Sequence, residues 1–180
     1  PKNDTSIKPV SKTVEASNRF ALELYSKLGD TDGNILFSPY SITTALSMVY
    51  EGARGVTAEE MENVFHFNPN ATQRLQENRD LYDSLNVEQG SELSTANALW
   101  LQDDFWFEED YVSSITNYYS GEAERVDFMR DTENARLTIN DWVENKTHDR
   151  IRDLFPQGSL NTDTRLVLTN AIYFKGSWLH

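Results

Sequence analysis

Cysteine is absent from the chain. Disulfides, thiolate nucleophiles and cysteine-held zinc or iron–sulfur centres are therefore excluded within it. Histidine is nearly as scarce: His66, His148 and His180 are scattered, and none belongs to a zinc-binding spacing. Positive charge is short as well, with 16 Lys and Arg standing singly among 29 Asp and Glu for a net charge of −13. No basic cluster exists to track a phosphate backbone, so a nucleic-acid partner is not expected. An anionic membrane is an equally poor partner. Long hydrophobic runs are missing too: none reaches transmembrane length, and Pro1-Lys-Asn-Asp-Thr-Ser6 lacks the apolar core of a signal peptide, although a mature protein would have lost one.

Catalytic signatures are also lacking. No serine sits in a Gly-x-Ser-x-Gly elbow. Gly52 and Gly55 flank Arg54, but the lysine-bearing phosphate loop is absent, which leaves a tight turn between helices. Asp30, Asp32 and Asn34 suggest a calcium loop, yet Gly33 stands at the fourth position instead of the sixth and no Glu closes twelve residues. Asp103, Asp104 and Glu108 to Asp110 crowd a strand end and a helix start, where capping and solvation account for them better than paired acid–base work. No cofactor or metal is expected, and the chain does not read as an enzyme.

What remains is the material of one cored domain: 180 residues, 38% hydrophobic, 25% charged and 12% aromatic. Apolar spacing of three and four predicts helices over 13–28, 40–51, 57–65, 71–85, 108–119 and 132–147. Ser38-Pro39 suits a helix start, and Thr57-Ala-Glu-Glu60 has the form of a capping box. In the second helix the inward face is expected to be Ile42, Ala45, Leu46, Val49 and Tyr50, with small hydroxyl residues between them. The exposed side of the fourth is expected to mix Arg74, Glu77, Arg79, Asp80 and Asp83. Strands are expected at 34–37, 93–101, 122–128 and 166–174. The last, Leu166 to Phe174, does not alternate and reads as a strand covered on both faces. It shares an Asn-Ala step with Ala96-Asn-Ala-Leu-Trp-Leu101. Helices between these strands suggest crossover connections and hence three parallel-leaning strands. Ser38, Ser41 and Asn170 stand out as polar residues in apolar surroundings. They read either as a network beneath the sheet or as a cap, a packing filler and a satisfied buried amide. Trp178 reads as core or as a functional anchor.

Four segments, in order and covering nearly the whole chain, resemble the serpin family. Asn34-Ile-Leu-Phe-Ser-Pro-Tyr-Ser-Ile42 with Gly52-Ala-Arg-Gly-Val-Thr57 is similar to the second-helix region of that family. Ile139-Asn-Asp-Trp-Val143 with Thr147, Ile151 and Leu154 resembles serpin helix F, and Leu166 to Trp178 resembles the third strand of serpin sheet A. The resemblance implies an α+β fold of helices A to F with strands s6B, s2A, s1A and s3A. It implies that 1–180 is the N-terminal portion of a single serpin domain, completed by a C-terminal segment carrying the reactive-centre loop. The implied function is suicide inhibition of a serine, sometimes cysteine, protease, in which the cleaved loop inserts into sheet A beside the strand at Leu166. The alternative is a non-inhibitory serpin acting as carrier, chaperone or storage protein.

Carried over by residue, Ser38, Ser41, Thr169 and Asn170 match the shutter where the sheet must part. Lys175, Gly176 and Trp178 match the breach where the loop first enters. Ile139, Trp142 and Val143 belong to the helix lying over the sheet. Two departures bear on these expectations. His148-Asp-Arg150 replaces a common Gly-Lys after Thr147, so the end of helix F is expected to be shaped differently. The fourth helix lacks the basic row of heparin-activated members, so heparin is not an expected partner. The family setting favours secretion over the cytoplasm.

Overall fold

The computed structural model describes residues 11–29, 32–86 and 91–176. Six helices and three strands follow in order: α1 (Lys12–Leu28), α2 (Pro39–Gly52), α3 (Gly55–Phe65), α4 (Ala71–Leu85), β1 (Ser91–Gln102), α5 (Glu109–Tyr118), β2 (Gly121–Val126), α6 (Thr132–Lys146) and β3 (Leu166–Gly176). The helix starts follow local chemistry. Ser11, Ser38, Asn70 and Asp131 each accept a backbone N–H two or three residues into the helix that follows. Pro39 occupies the first turn of α2, where its missing N–H costs nothing. The capping box at Thr57 does not form. α3 begins earlier, at Gly55 behind Arg54, which contributes no side-chain cap. Gly55 has φ 56°, a left-handed backbone that turns the chain sharply out of α2.

The sheet order is β2–β1–β3. β1 and β2 are parallel, from Asn97 opposite Gly121 to Gln102 opposite Val126. β1 and β3 are antiparallel, from Ser91 opposite Gly176 to Leu101 opposite Leu166. This corrects the expectation of parallel strands throughout. α6 runs back along the sheet from the end where β1 and β2 finish. Residues 147–165 then retrace α6, held by Asn140, which both donates to the Phe155 carbonyl and accepts its N–H at 2.9 Å. They deliver the chain to that same end, where Gln102 N–H bonds Arg165 O at 2.9 Å. β3 therefore starts where β1 stops. Gln102 secures this corner: fully buried, its amide oxygen accepts the N–H groups of Phe128 and Met129.

One face of the sheet packs on α6 through Ala98, Trp100 and Val167, which meet Phe128, Ala135 and Ile139. The other face packs on the helical cluster, where Leu99 and Leu101 meet Met48 of α2 together with Ile115 and Tyr119. Period-two alternation thus gives each face of β1 its own core. β3, like β2, ends the sheet among the described residues. Its Val167, Thr169 and Ala171 are buried under α6, while the alternate residues are only half covered and Phe174 is 68% exposed, so it is not covered on both faces.

Three further expectations change. Residues 34–37 form no strand, because no described segment offers a ladder partner, and Leu36 is 97% exposed. The buried side of α2 is Thr43, Thr44, Ser47 and Met48 with the expected Tyr50, whereas Ile42, Ala45 and Leu46 are half-buried and Val49 is exposed. The short hydroxyl side chains let α1 approach closely, and Ser17 bonds Thr43 across that contact at 3.1 Å. In α4, Arg74 is buried at 5% exposure instead of facing solvent.

Candidate functional site

Asn170 sits midway along β3, directly opposite Asn97 of β1. The Nδ2 of Asn170 donates to Oδ1 of Asn97 at 2.7 Å, and its Oδ1 accepts the hydroxyl of Ser41 from α2. Asn97, 1% exposed, donates its own Nδ2 to the backbone carbonyl of Tyr119 at 2.9 Å. Ser38 takes no direct part. It caps α2 by accepting the Ser41 N–H at 3.3 Å, and so places the Ser41 hydroxyl. One polar chain thereby crosses from α2 through two adjacent strands to the end of α5. Its amides, Asn97 buried and Asn170 half-buried, are paired, which offsets the cost of their desolvation and leaves a strict demand on register.

Thr169, on the opposite face of β3, accepts Trp100 Nε1–H at 3.0 Å beneath α6. Ser38, Ser41 and Asn170 therefore come together, and Thr169 belongs to a different cluster. That cluster is the seat of α6. Ile139 and Val143 are fully buried, the first on Trp100 and Val167, the second on Ala96 and Ala171. The ring of Trp142 meets Trp100 edge-on at 5.7 Å. Its Nε1–H donates to Glu122 of β2 at 2.8 Å, and Lys146 reaches the same carboxylate at 2.6 Å. Burial pushes Glu122 up, but the Lys146 and Trp142 donors outweigh it and hold the carboxyl below its usual range.

At the end of α6, His148 and Asp149 adopt left-handed backbones, φ 50° and 59°, without glycine, and the His148 ring lies edge-on to Tyr173 of β3 at 4.9 Å. Lys175 and Gly176 are exposed at the far end of β3, opposite Glu92 and Ser91. Trp178 and His180 lie outside the described residues.

Sequence reasoning did not single out Asn97, although the Asn-Ala step shared by β1 and β3 marked it. It also missed a second cluster, centred on the Tyr119 hydroxyl. That hydroxyl donates to Glu51 Oε1 at 2.7 Å and accepts from Ser47 at 2.7 Å and Asn78 at 3.4 Å. Arg74 forks onto the two oxygens of Glu51 at 2.8 and 2.7 Å and lies over the Tyr50 ring. Burial, with the Glu51 charge beside it, raises the Tyr119 phenol well above its ordinary value and keeps it a donor. The crowded carboxylates behave as surface charge: Asp104 is held low by Gln102 and by Arg130 at 2.8 Å. Among the described residues no three His, Asp or Glu side chains gather to hold a metal, and no helix is long and apolar enough to cross a membrane.

Comparisons with known proteins agree on one family. The model of the serpin (serine protease inhibitor) family matches residues 15–180. A serpin-like protein of Methanosarcina mazei is 44% identical over 173 residues, covering 93% of this chain and 40% of its own length. The leukocyte elastase inhibitor of Xenopus tropicalis is 39% identical over 171 residues, covering 91% of this chain and 44% of its own. Among solved structures, emu ovalbumin superposes with a TM-score of 0.85 at 30% identity, over 93% of this chain and 48% of that one. The chain spans less than half the length of each of these.

Proposed function

The chain belongs to the serpin family, and from that premise we propose that the full-length protein inhibits a serine-type endopeptidase by inserting its cleaved reactive loop as a new strand beside β3. Members of this inhibitor family are not enzymes, and the nucleophile belongs to the target. The observation that carries the reading is Asn170. It is held between Ser41 and Asn97 on a strand whose outer edge has no partner among the described residues. An added strand would pair that edge and convert a less stable packing into a more stable one. Ser38, Ser41, Thr169 and Asn170 then act where the sheet parts, Lys175, Gly176 and Trp178 where the loop enters, and Ile139, Trp142 and Val143 in the helix that yields.

Further polypeptide, continuous or separate, completes the fold and carries the loop. The share of the relatives' length that the chain covers supports this, as do the exposed apolar side chains of Leu36, Val49 and Phe174. Heparin is not a partner on this reading: of the two arginines in α4, Arg74 is buried and Arg79 is paired with Asp83 at 2.9 Å. The test is incubation of the full-length protein with a panel of serine proteases. An SDS-resistant covalent complex is expected. Clean turnover of the loop by every protease, with no trapped complex, would replace this reading with the carrier, chaperone or storage role.

A further inference from the structure

We propose that Tyr119 is a second clamp holding the sheet on the helical cluster, separate from the Ser41–Asn170 contact, and that the buried Glu51–Arg74 pair is what sets it. The inference rests on the insertion reading above, in which the sheet parts to admit a strand beside β3; the clamp opposes any accompanying movement of β1 and β3 over α2.

Tyr119 is gripped at both ends. Its hydroxyl bonds Glu51 and Ser47 of α2 and Asn78 of α4. Its carbonyl holds Asn97, which holds Asn170. The sheet is thereby tied to α2 along two routes: directly, from β3 through Asn170 to Ser41, and indirectly, from β1 through Asn97 and Tyr119 to Glu51. Any sliding of the two strands over α2 that breaks the first contact also pulls on the second. Glu51 is a firm anchor because Arg74 engages both of its oxygens while donating to the Asn68 carbonyl at 2.5 Å, so the carboxylate has no freedom to follow the phenol. The two side chains are 6% and 7% exposed, so little solvent competes for this pair. The cluster thus transmits the placement of α4 to the middle of the sheet. Tyr119 is a positioning residue: it touches neither loop nor protease.

The variant that isolates the clamp is Tyr119→Phe in the full-length protein. It removes one oxygen, keeps the ring in its core and leaves both the Glu51–Arg74 pair and the Asn97 contact to the main chain intact. Hydrogen exchange of peptides spanning residues 166–176 should accelerate tenfold or more, the scale of losing a hydrogen bond to a charged acceptor. Ser41→Ala should accelerate the same peptides, and the double variant should exceed either single change. Exchange within twofold of the parent protein would overturn the proposal. So would an equal acceleration across α1 and α4, which marks general loosening. Covalent complex formation with a protease, followed in parallel, should quicken in Tyr119→Phe. If the parent protein traps no protease, the inhibitor reading falls, while the exchange rates still decide the clamp.

Discussion

Asn97 carries more at the scale of single residues than its place in an apolar strand suggests. It pairs with two groups, the half-buried Asn170 amide and the carbonyl of buried Tyr119. Asn97→Ala should therefore lower the unfolding free energy by about 1–3 kcal/mol, the cost of one buried group, the Tyr119 carbonyl, left unpaired, read from the midpoint of urea unfolding. A loss under about 0.5 kcal/mol, the range of an ordinary surface change, would mean those groups find other partners. Glu122 gives a pH signature. Its folded pKa lies below the ordinary carboxylate value because Lys146 and Trp142 stabilise the anion. The stabilisation is therefore present above the unfolded pKa of about 4.3 and is lost as pH falls through the lower folded value. Glu122→Gln should flatten the change in unfolding midpoint between pH 6 and pH 3, with the larger loss at pH 6. Ser41 and Asn170 were legible as polar residues in apolar runs, whereas Arg74 was not. Helical spacing places it on the side of α4 that carries Glu77 and Asp80, and only the approach of Glu51 and Tyr50 makes that position interior.

Between elements, the contact that matters most is α6 on the sheet. Ile139 and Val143 present branched side chains to Trp100, Val167, Ala96 and Ala171, and the alanines leave room for the helix to lie close. Ile139→Ala removes a fully buried side chain at this seat and should cost about 3 kcal/mol. Calorimetry of the full-length protein checks it, and a fall in unfolding temperature under about 2 °C would show that α6 contributes little there. Helix positions were readable because their determinants are local: an oxygen-bearing cap, a proline in the first turn, apolar residues three and four apart. The direction of β3 was not readable. It depends on the irregular return over 147–165, whose course follows from Asn140 and Arg136 holding Phe155 at a distance of 15 or more residues in sequence.

For the whole molecule, the half-covered outer strand is the feature with the widest consequence. Among the described residues β3 ends a sheet of three, with apolar side chains on its half-covered face and no ladder partner along its outer edge. On the proposed mechanism, limited cleavage of the loop in the full-length protein should raise its unfolding temperature, because the inserted strand supplies what that edge lacks. Scanning calorimetry before and after cleavage measures this. An unchanged or lower temperature after complete cleavage would mean that no strand is added.

The amino-acid sequence alone determined where most of the helices lie, α3 with its start ahead of Thr57 being the exception, that no disulfide forms within this chain, and that one polar group each from α2 and β3 stands in apolar surroundings. Those properties follow from near neighbours in the chain and from composition. Only the tertiary structure decided that Asn97 faces Asn170, that β3 runs against β1, and that Arg74, Glu51 and Tyr119 form one buried cluster. Register, strand direction and burial depend on groups tens of residues apart meeting at hydrogen-bond distance, and no local pattern encodes which of them meet.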